Sequence, residues 1–536
     1  MPTRMRLTAL TTALALTLTG CSAGGGGAGD EGTQPSAGSG TSAPASSEAV
    51  PTPLTPADFA DEAADIVDSF SDDELAGSLI IGTWSGTGPQ TAVDMVEKDS
   101  LGGVIVMADN LSETPSAEEV TQLTTAIAGA RTKGQPVSIA VDQEGGPVSR
   151  LSTAALPFPP LMAFGAADDG KLTTTATTVQ AENLSDLGFT IDFAPDSDVT
   201  VGPKDVAINV RSAGGDAEDV AEVVARAVEG YDAGGVASSA KHFPGHGRLT
   251  VDSHEGLPVS EKSIDELEDS DLLPFQSAVD AGVPMVMMGH IGLPDAKTTP
   301  ASLNPKAYTA LRENLGFDGV VVTDALNMEA VTQSANGDAA VNALAAGADL
   351  ALMPPDAAAA QDAVAAALGD GTLKRDDLVE KSRRVVAMQL ATAAAQQQDD
   401  PAASPADPEA VLTEVAEKSL TVLKGECEFA GTDAISIVGG SEKEKAALRR
   451  AAETAGLSVG SGGTTVSLSP GTSAEVAVGT AAPWTMRGTP AKSAVTAYDS
   501  NPYALGAVAK WLKGDLSATG QLPVEYEGSD EAPDCG

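Results

Sequence analysis

Four histidines occur in the 536 residues of this chain. Three of them, His242, His246 and His254, crowd into one stretch, and the fourth, His290, follows soon after. Imidazole is the side chain most easily poised for proton transfer near neutral pH. The run 235–240 (Gly-Val-Ala-Ser-Ser-Ala) reads as a short buried strand, so the polar cluster opening with Lys241 and His242 starts where a strand ends. Pro244, Gly245 and Gly247 bring backbone close to whatever sits there. Asp252 precedes His254 by two residues and could orient its ring, making a pair able to pass a proton to and from a leaving group. Asp324 closes the apolar run 320–323. At a strand mouth it could serve as a nucleophile, or it could cap the helix that follows. His242, His246 and His254 with Asp252 also resemble a metal-ligand set. The His-x-x-x-His spacing needs a helix, however, and Pro244 with Gly245 opposes one. We therefore expect no metal and no cofactor.

Apolar runs alternate with amphipathic stretches along most of the chain, as in β/α units around a parallel sheet. Eight candidate strands fall at 79–84, 103–107, 137–141, 189–194, 236–240, 284–288, 319–323 and 349–353. Between them, 217–233 places Val220, Val223, Val224 and Ala227 at helical spacing. Eight such units predict an α/β fold, a (β/α)8 TIM barrel over 57–393. Barrel enzymes carry chemistry at the C-terminal ends of their strands. Asp142-Gln143-Glu144 follows the third candidate strand, Asp196 and Asp198 the fourth, Lys241-His242 the fifth, His290 the sixth and Asp324 the seventh. Polar loops explain any one of these, but not why every histidine lies at such a place. Residues 394–408 read as a linker. Residues 409–536 then read as a smaller, sandwich-like α/β domain, with strands at 419–423, 434–438, 465–468, 475–478 and 494–497 and helices at 441–455 and 501–513.

The net charge of -45 leaves no basic stripe to neutralise phosphates, so nucleic acid is not an expected partner. Arg4 and Arg6 precede an apolar run, 7–18, too short to span a bilayer comfortably. Leu18-Thr19-Gly20-Cys21 resembles the lipobox of bacterial lipoproteins, so residues 1–20 read as a signal peptide and Cys21 as a lipidated first residue. Residues 21–56 are rich in Gly, Ser, Ala and Pro and read as a flexible tether. The expected location is the outer face of the cytoplasmic membrane. Cys427 and Cys535 are the remaining cysteines, and in an exported chain they could form a bridge, or remain two free thiols. No feature of the sequence specifies an oligomeric state.

Taken together, Lys241-His242-Phe243-Pro244-Gly245-His246-Gly247 with Asp252-Ser253-His254 resembles the signature of family 3 glycoside hydrolases, and more narrowly their β-N-acetylglucosaminidase branch. Asp142-Gln143-Glu144-Gly145-Gly146, Asp192-Phe193-Ala194-Pro195, Asn304-Pro305-Lys306, Leu315-Gly316-Phe317-Asp318-Gly319 and Val322-Thr323-Asp324-Ala325-Leu326-Asn327-Met328 are similar to further motifs of that family. The resemblance implies a retaining mechanism on an N-acetylglucosamine-containing glycan. Asp324 would attack the anomeric carbon, His254 would act as acid and then base, and Asp252 would be its partner. That departs from the usual pair of carboxylates about 5–5.5 Å apart. Asp142, Arg150, Arg211, Lys241 and His242 would bind the sugar, as carboxylate, guanidinium and ammonium groups suit hydroxyls. Away from such a site, Asp142 would be a helix cap, Arg150 and Arg211 surface ion pairs, and Lys241 a solvated loop residue. Two positions depart from the pattern: Pro147 where the family often has Arg, and Arg248-Leu249 where Asp or Asn followed by Thr is usual.

The reading with most support is an exo-acting β-N-acetylglucosaminidase working on peptidoglycan-derived or related glycans. A phosphorylase is an alternative, since a neutral imidazole repels incoming phosphate less than a carboxylate does. A non-catalytic amino-sugar-binding lipoprotein would account for anchor and tether, but not for Asp324 beside the Asp252–His254 pair.

Overall fold

The computed structural model describes residues 54–130, 133–334, 337–397 and 406–535. The expected signal peptide, most of the tether, Cys21 and the middle of the expected linker lie outside them. The strands, in chain order, begin with β1 (Ile80–Gly82), β2 (Gly103–Ile105) and β3 (Ser138–Val141), then the short β4 (Gln143–Gly145) and β5 (Val148–Ser149). Next come β6 (Ile191–Asp192), β7 (Ala237–Phe243), β8 (Met285–Met288), β9 (Gly292–Leu293), β10 (Ala296–Pro300), β11 (Val320–Thr323) and β12 (Ala351–Leu352). Eight of them form one all-parallel sheet in the order β11-β8-β7-β6-β3-β2-β1-β12. A parallel bridge between Val322 and Leu350 brings its two ends together, so the sheet is a barrel.

Every residue of β1, β3, β7, β8 and β11 is buried, as expected where helices cover a parallel sheet on its outer face and side chains fill the inside. The helix Ala217–Ala233 shows how the sequence builds that cover. Asp216 caps it by accepting from the Glu218 amide at 2.9 Å. Val220, Val223, Val224, Ala227 and Val228 then form its buried stripe. Each buried valine contributes about 1.5–3 kcal/mol. Tyr231, on the same stripe, packs against the sheet and donates to Asp192 at 2.9 Å.

The fifth barrel strand differs from expectation. It runs on to Phe243 instead of ending at Ala240, so Lys241 and His242 are strand residues. Phe243 pairs with Met288, and the Ser197 amide donates to the Lys241 carbonyl at 2.6 Å. The polar side chains do not break the ladder because each meets a buried partner of opposite charge or a hydrogen-bond acceptor.

After the barrel, β13 (Thr421–Lys424), β14 (Ala434–Val438), β15 (Ser458–Val459), β16 (Thr464–Ser467), β17 (Val476–Gly479) and β18 (Ser493–Thr496) form a second sheet, ordered β13-β18-β17-β16-β14-β15. Only the β13–β18 pairing is antiparallel. The helices Glu442–Thr454 and Pro502–Lys513 start at side-chain caps from Ser441 and Asn501. The sequence reading lacked β15, which is only two residues long. Cys427 and Cys535 are bonded, with Cα atoms 5.6 Å apart, and tie the end of the chain to the start of this region. The second sheet region rests on the barrel. Lys418 pairs with Asp169 at 2.7 Å, the Gly215 amide donates to Pro523 at 3.0 Å, and a Cβ on Gly214 would lie 2.8 Å from the Pro523 carbonyl oxygen. The helix Arg375–Ala395 enters the expected linker, and the helix Pro408–Ser419 begins at its last residue. Among the described residues, no helix is long and apolar enough to cross a membrane.

Candidate active site

One cavity of about 290 Å³ lies at the C-terminal ends of the barrel strands. Asp142, Arg150, Arg211, Lys241, His242, Asp252, His254 and Asp324 all line it, although they are spread over the third to the seventh strands. His246 lines it too. His290 stands behind it, with no exposed surface, donating from Nε2 to the Ala325 carbonyl at 2.9 Å and accepting at Nδ1 from the Ser302 hydroxyl at 2.7 Å. Burial pushes its pKa down, only partly offset by Asp324.

The floor is a buried ionic network. Lys241 is 2% exposed and places Nζ 2.6 Å from Glu144 and 3.0 Å from Asp142. Glu144 in turn accepts two bonds from Arg211, both 2.8 Å, in the forked geometry that fixes a guanidinium plane. Burial would raise the Glu144 pKa, but Arg211 and Lys241 outweigh it and hold the carboxyl well below its ordinary range. Burial would lower Lys241, and Asp142 and Glu144 reverse that, so the ammonium stays charged. Arg150 is held more loosely, with Nη2 3.8 Å from Asp142.

His242 sits at the hub. Its Nδ1 donates to Asp198 at 2.8 Å, which leaves Nε2 to accept from Arg211 at 3.3 Å. This fixes one tautomer. Asp198 also accepts from the His246 amide at 2.5 Å. Burial and the Asp198 carboxylate beside it push Asp196 well above the ordinary range, whereas His242 and His246 outweigh burial at Asp198 and hold it below. Asp196, Asp198 and His242 each present a donor atom within 4.8 Å of the others, a possible metal-ligand geometry. The Arg211 guanidinium stands 3.6 Å from Asp196 and bonds His242, so the positive charge at this spot is already supplied by the chain. The histidines weighed as a ligand set in the sequence are each turned to a different partner: His242 to Asp198, His246 to Ser253 at 3.2 Å, and His254 to Asp252.

Asp324 leaves the end of β11, with its amide donating to the Met288 carbonyl at 2.9 Å. The Ala325 amide donates to its Oδ1 at 2.7 Å. Burial would raise its pKa, but His290, His242 and that amide outweigh burial and leave the carboxyl below its ordinary value. It is therefore an ionised carboxylate at neutral pH, aimed into a cavity whose other charges are paired.

Asp252 and His254 are different in kind. They sit on a loop after β7, where the His254 ring is 70% exposed. Asp252 Oδ1 accepts from both the backbone amide and Nδ1 of His254, at 2.9 and 2.8 Å. That pairing leaves Nε2 free to exchange a proton with a ligand. Burial would raise Asp252, and the His254 amide and ring outweigh it, so the carboxylate stays ionised. An Arg248–Asp271 pair at 3.1 Å fastens the start of the loop, and the His246–Ser253 contact holds its backbone between Asp252 and His254.

The sequence reading did not single out Glu144 or Asp198 as site residues, although both were in its strand-end segments. Their signal was position alone. What makes them important is that each accepts from two groups which are distant in sequence.

Residues 79–388 match the family model described as the glycosyl hydrolase family 3 N terminal domain. A protein named beta-hexosaminidase LpqI from Mycobacterium tuberculosis is 34% identical over 366 residues, covering 65% of this chain and 87% of the relative. Beta-hexosaminidase A from Pseudoalteromonas piscicida is 36% identical over 288 residues, covering 50% of this chain and 48% of that protein, so the chain spans about half the length of this relative. Among solved structures, a family 3 β-N-acetylglucosaminidase from Paenibacillus sp. str. FPU-7 superposes with a TM-score of 0.74 at 27% identity, over 85% of this chain and 99% of that one.

Proposed function

This chain belongs to glycosyl hydrolase family 3, and on that premise we propose that it is a retaining, exo-acting β-N-acetylglucosaminidase. The observation that carries the reading is that Asp324 and the Asp252–His254 pair, far apart in sequence, line one cavity with the five expected sugar-binding residues. The names of its relatives, beta-hexosaminidase and β-N-acetylglucosaminidase, support the substrate class. Terminal N-acetylglucosamine of peptidoglycan-derived or related glycans is the proposed substrate.

Ionised Asp324 attacks the anomeric carbon, and the C–O bond to the aglycone breaks. His254 Nε2 gives its proton to the departing oxygen, and the electron pair of the broken bond leaves with that oxygen. Asp252 holds the imidazolium orientation through Nδ1–H. In the second half, neutral His254 takes a proton from water, the water oxygen displaces Asp324 from the anomeric carbon, and the β-configuration is restored. Lys241, Arg211, Asp142, Arg150 and His242 hold the sugar hydroxyls and amide.

We propose further that 1–20 is a signal peptide, that lipid on Cys21 and the tether 21–56 hold the enzyme at the outer face of the cytoplasmic membrane, and that 57–393 and 409–536 are its two domains. Trapping with a 5-fluoro N-acetylglucosaminyl fluoride tests the central claim. A stable adduct on Asp324, located by peptide mapping, is the expected result, and labelling elsewhere or none would sink it. Sugar-1-phosphate in place of free sugar, with phosphate present, would move the assignment to the phosphorylase.

A further inference from the structure

A second cavity, of about 1040 Å³, lies on the other side of the β4–β5 hairpin from the catalytic pocket. Alternation along the hairpin divides the two. Asp142, Glu144, Val148 and Arg150 face the catalytic pocket, whereas Gln143, Gly146 and Ser149 face the groove. Two helices of the second region form its far wall. From Glu442–Thr454 come Lys443, Ala447, Arg450, Ala451 and Thr454, one face at helical spacing. From Pro502–Lys513 come Pro502, Gly506 and Lys510, again one face.

The charge of this wall runs against the rest of the molecule. The chain has 76 acidic and 31 basic residues, yet Lys443, Arg450 and Lys510 line the groove against a single carboxyl, Asp499. Burial raises the Asp499 pKa, and the Ser500 amide and Asn501 side chain occupy its oxygens. Lys510 also pairs with Glu417, outside the groove lining. Among the described residues, no ion pair engages Lys443 or Arg450. Leu156, Pro157, Ala447 and Ala451 add apolar surface between the charges. Gly506 sits in the middle of a helix, where glycine is weaker than alanine, and a Cβ there would meet no atom within 4 Å. Packing therefore does not require this glycine. The space beside it is groove.

We propose that this groove binds an anionic saccharide, a sugar chain bearing carboxylate or phosphate groups, with Lys443, Arg450 and Lys510 meeting its charges and Leu156, Pro157 and the alanines meeting its C–H faces. The inference goes beyond the hydrolase reading, since such binding needs neither Asp324 nor His254. It places a charge-selective hold on acidic glycan one hairpin away from the catalytic pocket.

Three labelled probes test it by fluorescence anisotropy on the full chain: a galacturonate hexamer, a phosphorylated maltohexaose and uncharged maltohexaose. At least one anionic probe binds, and which one tells carboxylate from phosphate. The overall charge of -45 repels both, so only a local site can hold them. Gly506→Phe, which fills the groove, and Arg450→Glu each weaken binding at least tenfold, while Gly506→Ala changes it less than twofold. Turnover of an aryl N-acetylglucosaminide stays within twofold in all three variants, showing that the fold is intact and reporting on the hydrolase reading separately. If either variant loses turnover, Lys443→Glu on the exposed first turn replaces it. Failure of both anionic probes to bind, equal binding of maltohexaose, or unchanged affinity in Gly506→Phe and in the charge reversals would overturn the proposal.

Discussion

The buried ionic floor, proposed to bind sugar, and the loop proposed to supply the acid and base face the same cavity but are built by opposite means. Lys241, Glu144, Arg211, His242 and Asp198 are buried, and their links join residues from three strand ends. Burying such charges is costly unless each is paired and hydrogen-bonded, and here the geometry meets that condition. Asp252 and His254 form a local pair two residues apart, largely in water. Such a pair contributes little to stability and can move with its loop. The contrast separates two tasks. On the proposed roles, a floor that recognises one sugar is preorganised, whereas a group that reaches a leaving oxygen and then a water is carried where displacement is cheap in free energy.

Four measurements would break or sharpen this contrast. Asp324→Ala, which removes the nucleophile between the two regions, should lower kcat by at least about 10⁴-fold, measured with an aryl N-acetylglucosaminide; a smaller loss would displace Asp324 from that role. His254→Ala should slow substrates with poor leaving groups by about 10²–10⁴-fold and activated ones far less. Its unfolding free energy should change by less than about 0.5 kcal/mol, as for other surface substitutions, and equal slowing of both substrate types would contradict the acid role. Glu144→Ala should do the reverse: by removing the carboxylate that Lys241 and Arg211 share, and leaving them only Asp142 at 3.0 Å and Asp196 at 3.6 Å, it should cost about 3 kcal/mol of stability, read from the urea midpoint. A Glu144→Ala chain as stable as the parent would mean that the floor is not rigidly coupled.

The last measurement concerns pH. Burial pushes the Asp192 carboxyl up to about 7, against hydrogen bonds from the Gln143 amide and the Tyr231 hydroxyl that favour its charge. A group raised in the folded state stabilises fully below its unfolded pKa, and that share is lost as pH rises through the folded value. Between about pH 4 and pH 7 the parent should therefore lose up to about 4 kcal/mol relative to Asp192→Asn. Parallel stability–pH curves for the two chains would refute this.

Much of the fold was legible because period and length carry it. All eight barrel strands lie within or beside the stretches expected for them, and the helix Ala217–Ala233 has the bounds that its valine spacing indicated. β7 was misjudged at its end because Lys241 and His242 are polar, and polarity marks a loop only when no buried partner exists. β15 was missed because two residues carry no period.

The sequence by itself determined which chemistries were available: a rare cluster of histidines, an aspartate two positions before one of them, and carboxylates at successive strand mouths. Those are local facts, written in residue type and short spacing. Only the tertiary structure decided that Glu144 would bridge Lys241 and Arg211, that Asp198 would orient His242, and that a basic groove would lie behind the hairpin. Each depends on groups brought together by barrel closure or by the packing of the second sheet region. Coulomb energy and desolvation depend on distance in space, which the order of residues along the chain does not state.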